Sequence, residues 1–134
     1  MQAARTRSNV PDNVMDAMRT TNQLFNTEVV AKRNFEALDQ IYTSDARVLP
    51  PGPPMIEGRD NIKDFWKQAI AAMGVTAAEL HTVRAERAGD DVLEIGQAEL
   101  TLAAGQIVRA KYVVHWKQEN GAWKWNVDIW NLNE

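Results

Sequence analysis

Cysteine is absent from this chain of 134 residues, which excludes disulfides and thiolate metal sites. The absence suits a reducing cytosol without proving it. Histidine is scarce. His81 and His115 stand far apart with no paired ligand spacing, so no metal site is expected. A surplus of positive charge is missing too: the net charge is −3, with Lys and Arg scattered among acids. That balance argues against a nucleic-acid surface, and Arg5 with Arg7 is too short a basic cluster for a binding arm. No apolar run approaches the roughly 20 residues of a membrane span. Met1 to Asn9 is polar and lacks the apolar stretch of a secretory signal. Gly58 precedes a helix start, yet nothing around it resembles a phosphate-cradling loop. The expectation is a cytoplasmic protein with no cofactor, no metal, no nucleic-acid partner and no membrane contact.

What is present fits one domain, with residues 1–9 as a flexible N-terminal arm and 10–134 as the folded unit. From Asp12 onward, Val14, Met15, Met18, Phe25 and Val29 recur at helical spacing. A second short helix is predicted from about Asn34 to Tyr42, and a short strand over Ala46 to Leu49. Pro50-Pro51-Gly52-Pro53-Pro54 then forbids regular pairing. Met55 to Glu57 reads as another short strand. A third helix carries Ile62, Phe65, Trp66, Ala69, Ile70 and Met73 on one stripe and ends at Gly74. Four strands follow, broken at Gly89-Asp90-Asp91, Ala104-Gly105 and Asn120-Gly121. Helices first and an antiparallel meander last describe an α+β fold. The curled, cone-shaped sheet wraps around the helices and leaves a pocket where they do not fill it.

The last hairpin holds the candidate chemistry. A two-residue turn at Asn120-Gly121 fixes a register in which Trp116 faces Trp125, His115 faces Asn126 and Val113 faces Asp128. One face is then Tyr112, Val114, Trp116, Trp125, Val127 and Ile129, apolar enough to need cover from helices or another subunit. The other is Lys111, Val113, His115, Asn126, Asp128 and Trp130. On it, His115 and Asp128 are diagonal neighbours about 7–8 Å apart, close enough for proton-transfer work or for gripping one ligand. Ordinary surface placement is the competing reading, and a bulge in the hairpin would dissolve the pair. Tyr42 and Trp66 lie on apolar stripes and are read as core or as pocket lining. His81 reads as a surface strand residue, Arg59 as a tie for the preceding loop, and Asp45 as a turn residue.

The stretch from Ile41 through Asp45-Ala46-Arg47 to Pro50-Pro51-Gly52, then Ile56-Glu57-Gly58-Arg59 and Phe65-Trp66, resembles the SnoaL-like and ketosteroid-isomerase-like branch of the nuclear transport factor 2-like superfamily, with its cystatin-like fold. Tyr112-Val113-Val114-His115-Trp116, Asn120-Gly121 and Asp128-Ile129-Trp130 fit the same group, and the likeness runs from about Val14 to Asn131. It implies a curved sheet around a deep pocket, closed by three helices, in small bacterial proteins that usually form homodimers through their sheets. It further implies Asp128 and Trp130 on the pocket side and the Trp116–Trp125 face against the partner. Ketosteroid isomerase residues do not carry over, because Pro50, Asn26 and about Val113 stand where that family's base, tyrosine and late acid would be. SnoaL-type cyclases and limonene-epoxide-hydrolase-like relatives have a working aspartate near the chain end, where Asp128 is similar.

Three readings remain open. In the first, a small apolar or aromatic molecule meets Asp128, helped by His115, in a cofactor-independent isomerase, cyclase, hydratase or hydrolase-like reaction. Tyr42, Trp66, Val113, Asn126 and Trp130 line the site. In the second, the same pocket binds a ligand without turnover. In the third, the Trp116–Trp125 face serves dimerisation.

Overall fold

The computed structural model describes residues 7–133. Helix α1 spans Asp12–Leu24. Pro11 opens it, and its carbonyl accepts the amides of Val14 and Met15. The helix runs on through Phe25–Ala31 with the wider hydrogen-bonding pattern of a π-helix. Arg33, at a left-handed φ of 59°, then turns the chain. Where an α-helix to Tyr42 is expected, a 3₁₀ segment covers only Phe35–Gln40. Tyr42 instead opens strand β2, Tyr42–Leu49. The cause is tertiary: the amide of Trp125 takes the Ile41 carbonyl at 2.7 Å and draws the chain into the sheet.

After the prolines, β3 (Ile56–Glu57) pairs antiparallel with β2. Helix α2 occupies Arg59–Met73 and is closed by Gly74 in the left-handed conformation, φ 70°. Four long strands follow: β4 Val75–Ala88, β5 Asp91–Leu102, β6 Ile107–Glu119 and β7 Ala122–Leu132. With β1 at Arg7–Ser8, the sheet order is β1-β4-β5-β6-β7-β2-β3. The meander β4 to β7 is antiparallel, whereas β2 joins β7 in parallel and β1 joins β4 in parallel. The sheet is therefore mixed; it is curved and does not close.

Residues 1–6 of the expected arm lie outside the described residues. Its end belongs to the fold. Arg7 and Ser8 pair with Arg84 and Ala85, the Asn9 side chain accepts the Arg87 amide, and Val10 is buried. Among the described residues no helix is long and apolar enough to cross a membrane. The helices lie on the concave face of the sheet, over a core that includes Val29, Leu38, Ile41, Tyr42, Ile62 and Trp116, each fully buried.

Asn120 and Gly121 both hold positive φ, 54° and 83°, the pair that a type I′ turn requires. Next to the turn the expected register holds, with Trp116 opposite Trp125. Beyond it the register slips by one. His115 faces Val127, Val114 faces Asp128, Val113 faces Ile129 and Tyr112 faces Trp130. Asn126 is the extra residue of a β-bulge. Its buried side chain donates to Thr43 Oγ1 at 2.9 Å and Asp45 Oδ1 at 3.1 Å, where β2 has an irregularity of its own. The slip exchanges faces. Asp128 turns inward to join Tyr112, Val114, Trp116 and Trp125, while His115, Val113 and Ile129 turn outward. The tryptophan face expected at a subunit interface is buried under the helices instead, with Trp116 and Trp125 at 0% and 3% exposure.

Candidate functional site

A cavity of about 70 Å³ lies between the concave sheet face, α2 and the π-helical segment. Phe25, Trp66, Tyr112, Trp125 and Trp130 form its aromatic walls, and Asp128 is the one carboxylate among its lining residues. The other lining side chains are aliphatic or methionine. The space is well below the several hundred Å³ of pockets for drug-sized ligands.

Asp128 is buried at 4% exposure. Tyr42 donates its hydroxyl proton to Asp128 Oδ2 at 2.6 Å. Trp66 Nε1 donates in turn to the Tyr42 oxygen at 3.0 Å, which fixes the direction of the relay, because an indole nitrogen can only donate. Burial pushes the Asp128 carboxyl up to about 7, opposed by the Tyr42 hydrogen bond and reinforced by the nearby charge of Glu94. Burial and the Asp128 charge hold the Tyr42 phenol well above its ordinary value. Trp130 stacks on Trp66 with ring centroids 5.7 Å apart. Its own indole N–H is buried without an acceptor.

The predicted site thus divides. Asp128, Trp66 and Trp130 meet at the cavity. Tyr42 is packed in the core behind Asp128 and does not line it, touching the site through its hydrogen bond to that carboxyl. His115 does not join Asp128: it lies on the convex face, where Nε2 meets Asp91 Oδ2 at 2.9 Å. Val113 lies on that face too, opposite Ile95 and Ile129. Asn126 is occupied in tying the bulge to β2. Arg59 does not tie the proline loop that precedes it. It fastens the junction between the 3₁₀ segment and β2, donating to the carbonyls of Asp39 and Tyr42 and pairing with the Asp39 and Glu119 carboxylates.

Sequence reasoning passed over Glu94, the largest buried polar feature. Its side chain is fully buried and accepts four hydrogen bonds. Asn22 at 3.3 Å, Thr82 at 2.7 Å and Tyr112 at 2.7 Å donate to Oε2, and Trp116 donates to Oε1 at 2.9 Å. Asn22 also accepts the Trp125 indole at 3.0 Å, so the network reaches two cavity walls. Tyr112 spans its cross-strand partner Gly96, and a Cβ there would stand 2.2 Å from the phenol ring. One signal was available: Glu94 shares its strand face with Val92, Gly96, Ala98 and Leu100, an acid in an otherwise apolar period-2 row.

Among the described residues, one group has metal-ligand chemistry: Glu79, His81 and Glu99, with candidate ligand atoms within 4.8 Å of one another. It is away from the cavity, and its members already pair, His81 with Glu79 and Glu99 with Arg109.

A family model for the SnoaL-like domain matches residues 23–126. The chain belongs to the SnoaL-like family. No curated protein matches it. Solved structures of the same fold include a hexachlorocyclohexane dehydrochlorinase (LinA) from Novosphingobium barchaimii, 19% identical over 92% of this chain and 90% of that one, with a TM-score of 0.67. A proposed dehydratase of the NTF2-like family from Streptomyces avermitilis is 14% identical, over 92% and 99% of the two chains, with a TM-score of 0.71. A ketosteroid isomerase-like protein from Erwinia carotovora atroseptica is 13% identical, over 92% and 99%, with a TM-score of 0.73. At these identities the likeness establishes the fold, as does the match to the SnoaL-like model.

Proposed function

We propose that this SnoaL-like protein binds a small, largely apolar molecule in the cavity and that Asp128 exchanges a proton with it, without a cofactor. The observation that carries this reading is a buried carboxyl, pushed up to about 7, in an apolar cavity wall. A group titrating near ambient pH is suited to take a proton and to return it. The similar dehydrochlorinase and proposed dehydratase bear names that denote loss of hydrogen chloride or water. An elimination of that kind suits Asp128. Its carboxylate takes a proton from carbon, the C–H electron pair becomes the new double bond, and the leaving group departs with its own pair. Asp128 then passes the proton to solvent. Tyr42 orients the carboxylate and Trp66 orients Tyr42.

Asp128→Asn keeps the shape and the Tyr42 hydrogen bond but cannot take a proton. Turnover of a small elimination or isomerisation substrate is expected to fall at least 100-fold with little change in binding; unchanged turnover would remove Asp128 from the mechanism.

The apolar lining also favours a second reading, binding without turnover. Saturable quenching of tryptophan fluorescence by a ligand that emerges chemically unchanged would establish it.

The convex sheet face supports the proposal of a homodimer formed through the sheets. Ile95, Val113 and Ile129 form one cross-strand row there, and Ile95 and Ile129 are each 40% exposed.

A further inference from the structure

Two buried carboxylates occupy one row of the sheet. Glu94 on β5 pairs with Val114 on β6, and Val114 pairs with Asp128 on β7. All three face the helices, and all three are at most 4% exposed. Two strand spacings separate the acids, about 10 Å between backbones. The titratable groups facing Asp128 are Tyr42 from β2, Tyr112 from β6 and Glu94 from β5, while α2 contributes the indole of Trp66. No Lys, Arg or His is among the described cavity-lining residues, and the four partners of Glu94 are neutral donors. Four donated hydrogen bonds are the partner set that an ionised carboxylate uses. Glu94 does not itself line the cavity, since Tyr112 and Val114 stand in the wall.

We propose that Glu94 is a positioning residue of this site, a fixed buried anion behind the cavity wall that governs how readily Asp128 gives up its proton. The inference rests on the reading of Asp128 as the proton-exchanging group. A second anion in low-dielectric surroundings disfavours ionising the first. Its hydrogen bonds keep the Glu94 charge in place while the cavity changes occupancy, and through Tyr112 and Asn22 the same network holds the cavity walls.

Carbon-13 NMR of the Asp128 carboxyl tests this without any substrate, on the full chain and on Glu94→Gln. Glutamine can still accept from Trp116 and donate to the hydroxyls of Thr82 and Tyr112, so only Asn22 loses its partner. If the single variant fails to fold, the double variant Glu94→Gln with Asn22→Thr removes that conflict and is compared with Asn22→Thr alone, which equally gives up the Asn22 acceptor of the Trp125 indole. The Asp128 midpoint should fall by roughly one pH unit, the size expected for unit charges about 10 Å apart at an effective dielectric of about 20. An unchanged midpoint in a folded variant would overturn the role of Glu94 and leave the Asp128 reading standing. A parent-chain midpoint at an ordinary aspartate value would overturn both.

Discussion

At the scale of the residue, Asp128 stands at odds with the stability of its surroundings. Its carboxyl is raised from 3.8 to about 7, so the fold favours the protonated form. The stability tied to that proton is complete below about pH 4 and is lost as pH climbs through 7. The loss is on the order of 4 kcal/mol for this displacement. Asp128→Asn escapes it. Thermal melts from pH 5 to pH 9 are expected to show the variant gaining on the parent chain as pH rises; parallel melting curves would mean that the carboxyl is not held in its neutral form. Part of the residue-scale site was legible in advance. Asp128 is singled out by a register that sets it beside His115, which the bulge overturns, and by the family resemblance, which puts it and Trp130 on the pocket side. Trp66 reads as an aromatic on a helix stripe, in the core or lining the pocket. Glu94 was not legible, because an acid in a strand is ordinarily a surface residue. Its place in an apolar period-2 row is the one local sign, and the four donors that converge on it come from α1, β4 and β6.

At the scale of the element, local signals were read well and long-range ones were not. Gly74 closes α2, and Asn120-Gly121 closes the last hairpin, because each needs only backbone dihedrals that those residues adopt at low cost. The bulge at Asn126 has no such local cause. An asparagine fits an alternating pattern equally well, and what displaces it is hydrogen bonding to Thr43 and Asp45, more than 80 residues away in the chain. That contact decides which face carries Asp128. The sheet interior also depends on Gly96, which gives Tyr112 room to reach Glu94. Gly96→Ala should push the Tyr112 ring off that carboxylate and cost at least 1–3 kcal/mol, the usual range for overpacking. Chemical denaturation measures it, and a loss below about 0.5 kcal/mol would show that the ring moves aside freely.

At the scale of the whole molecule, helices followed by a meander are enough to specify the fold, and the match to the SnoaL-like model agrees with that reading. The pattern could not say which sheet face is covered by the helices, since both faces of the last hairpin carry large apolar side chains. Trp116 and Trp125 went to the core, leaving Ile95, Val113 and Ile129 outside. If that row is the homodimer contact, sedimentation should show a dimer for the parent chain and a monomer for Ile95→Lys combined with Ile129→Lys. A monomeric parent chain would dismiss the interface.

The central claim is that a carboxyl facing an apolar cavity exchanges its proton near neutrality. The most direct measurement is the pH titration of the Asp128 side-chain carbon in the unmodified protein. The structure predicts a midpoint close to 7. A midpoint near 4 would mean that burial does not hold the carboxyl protonated, and the reading of Asp128 as a group poised to take and return a proton near neutrality would fall.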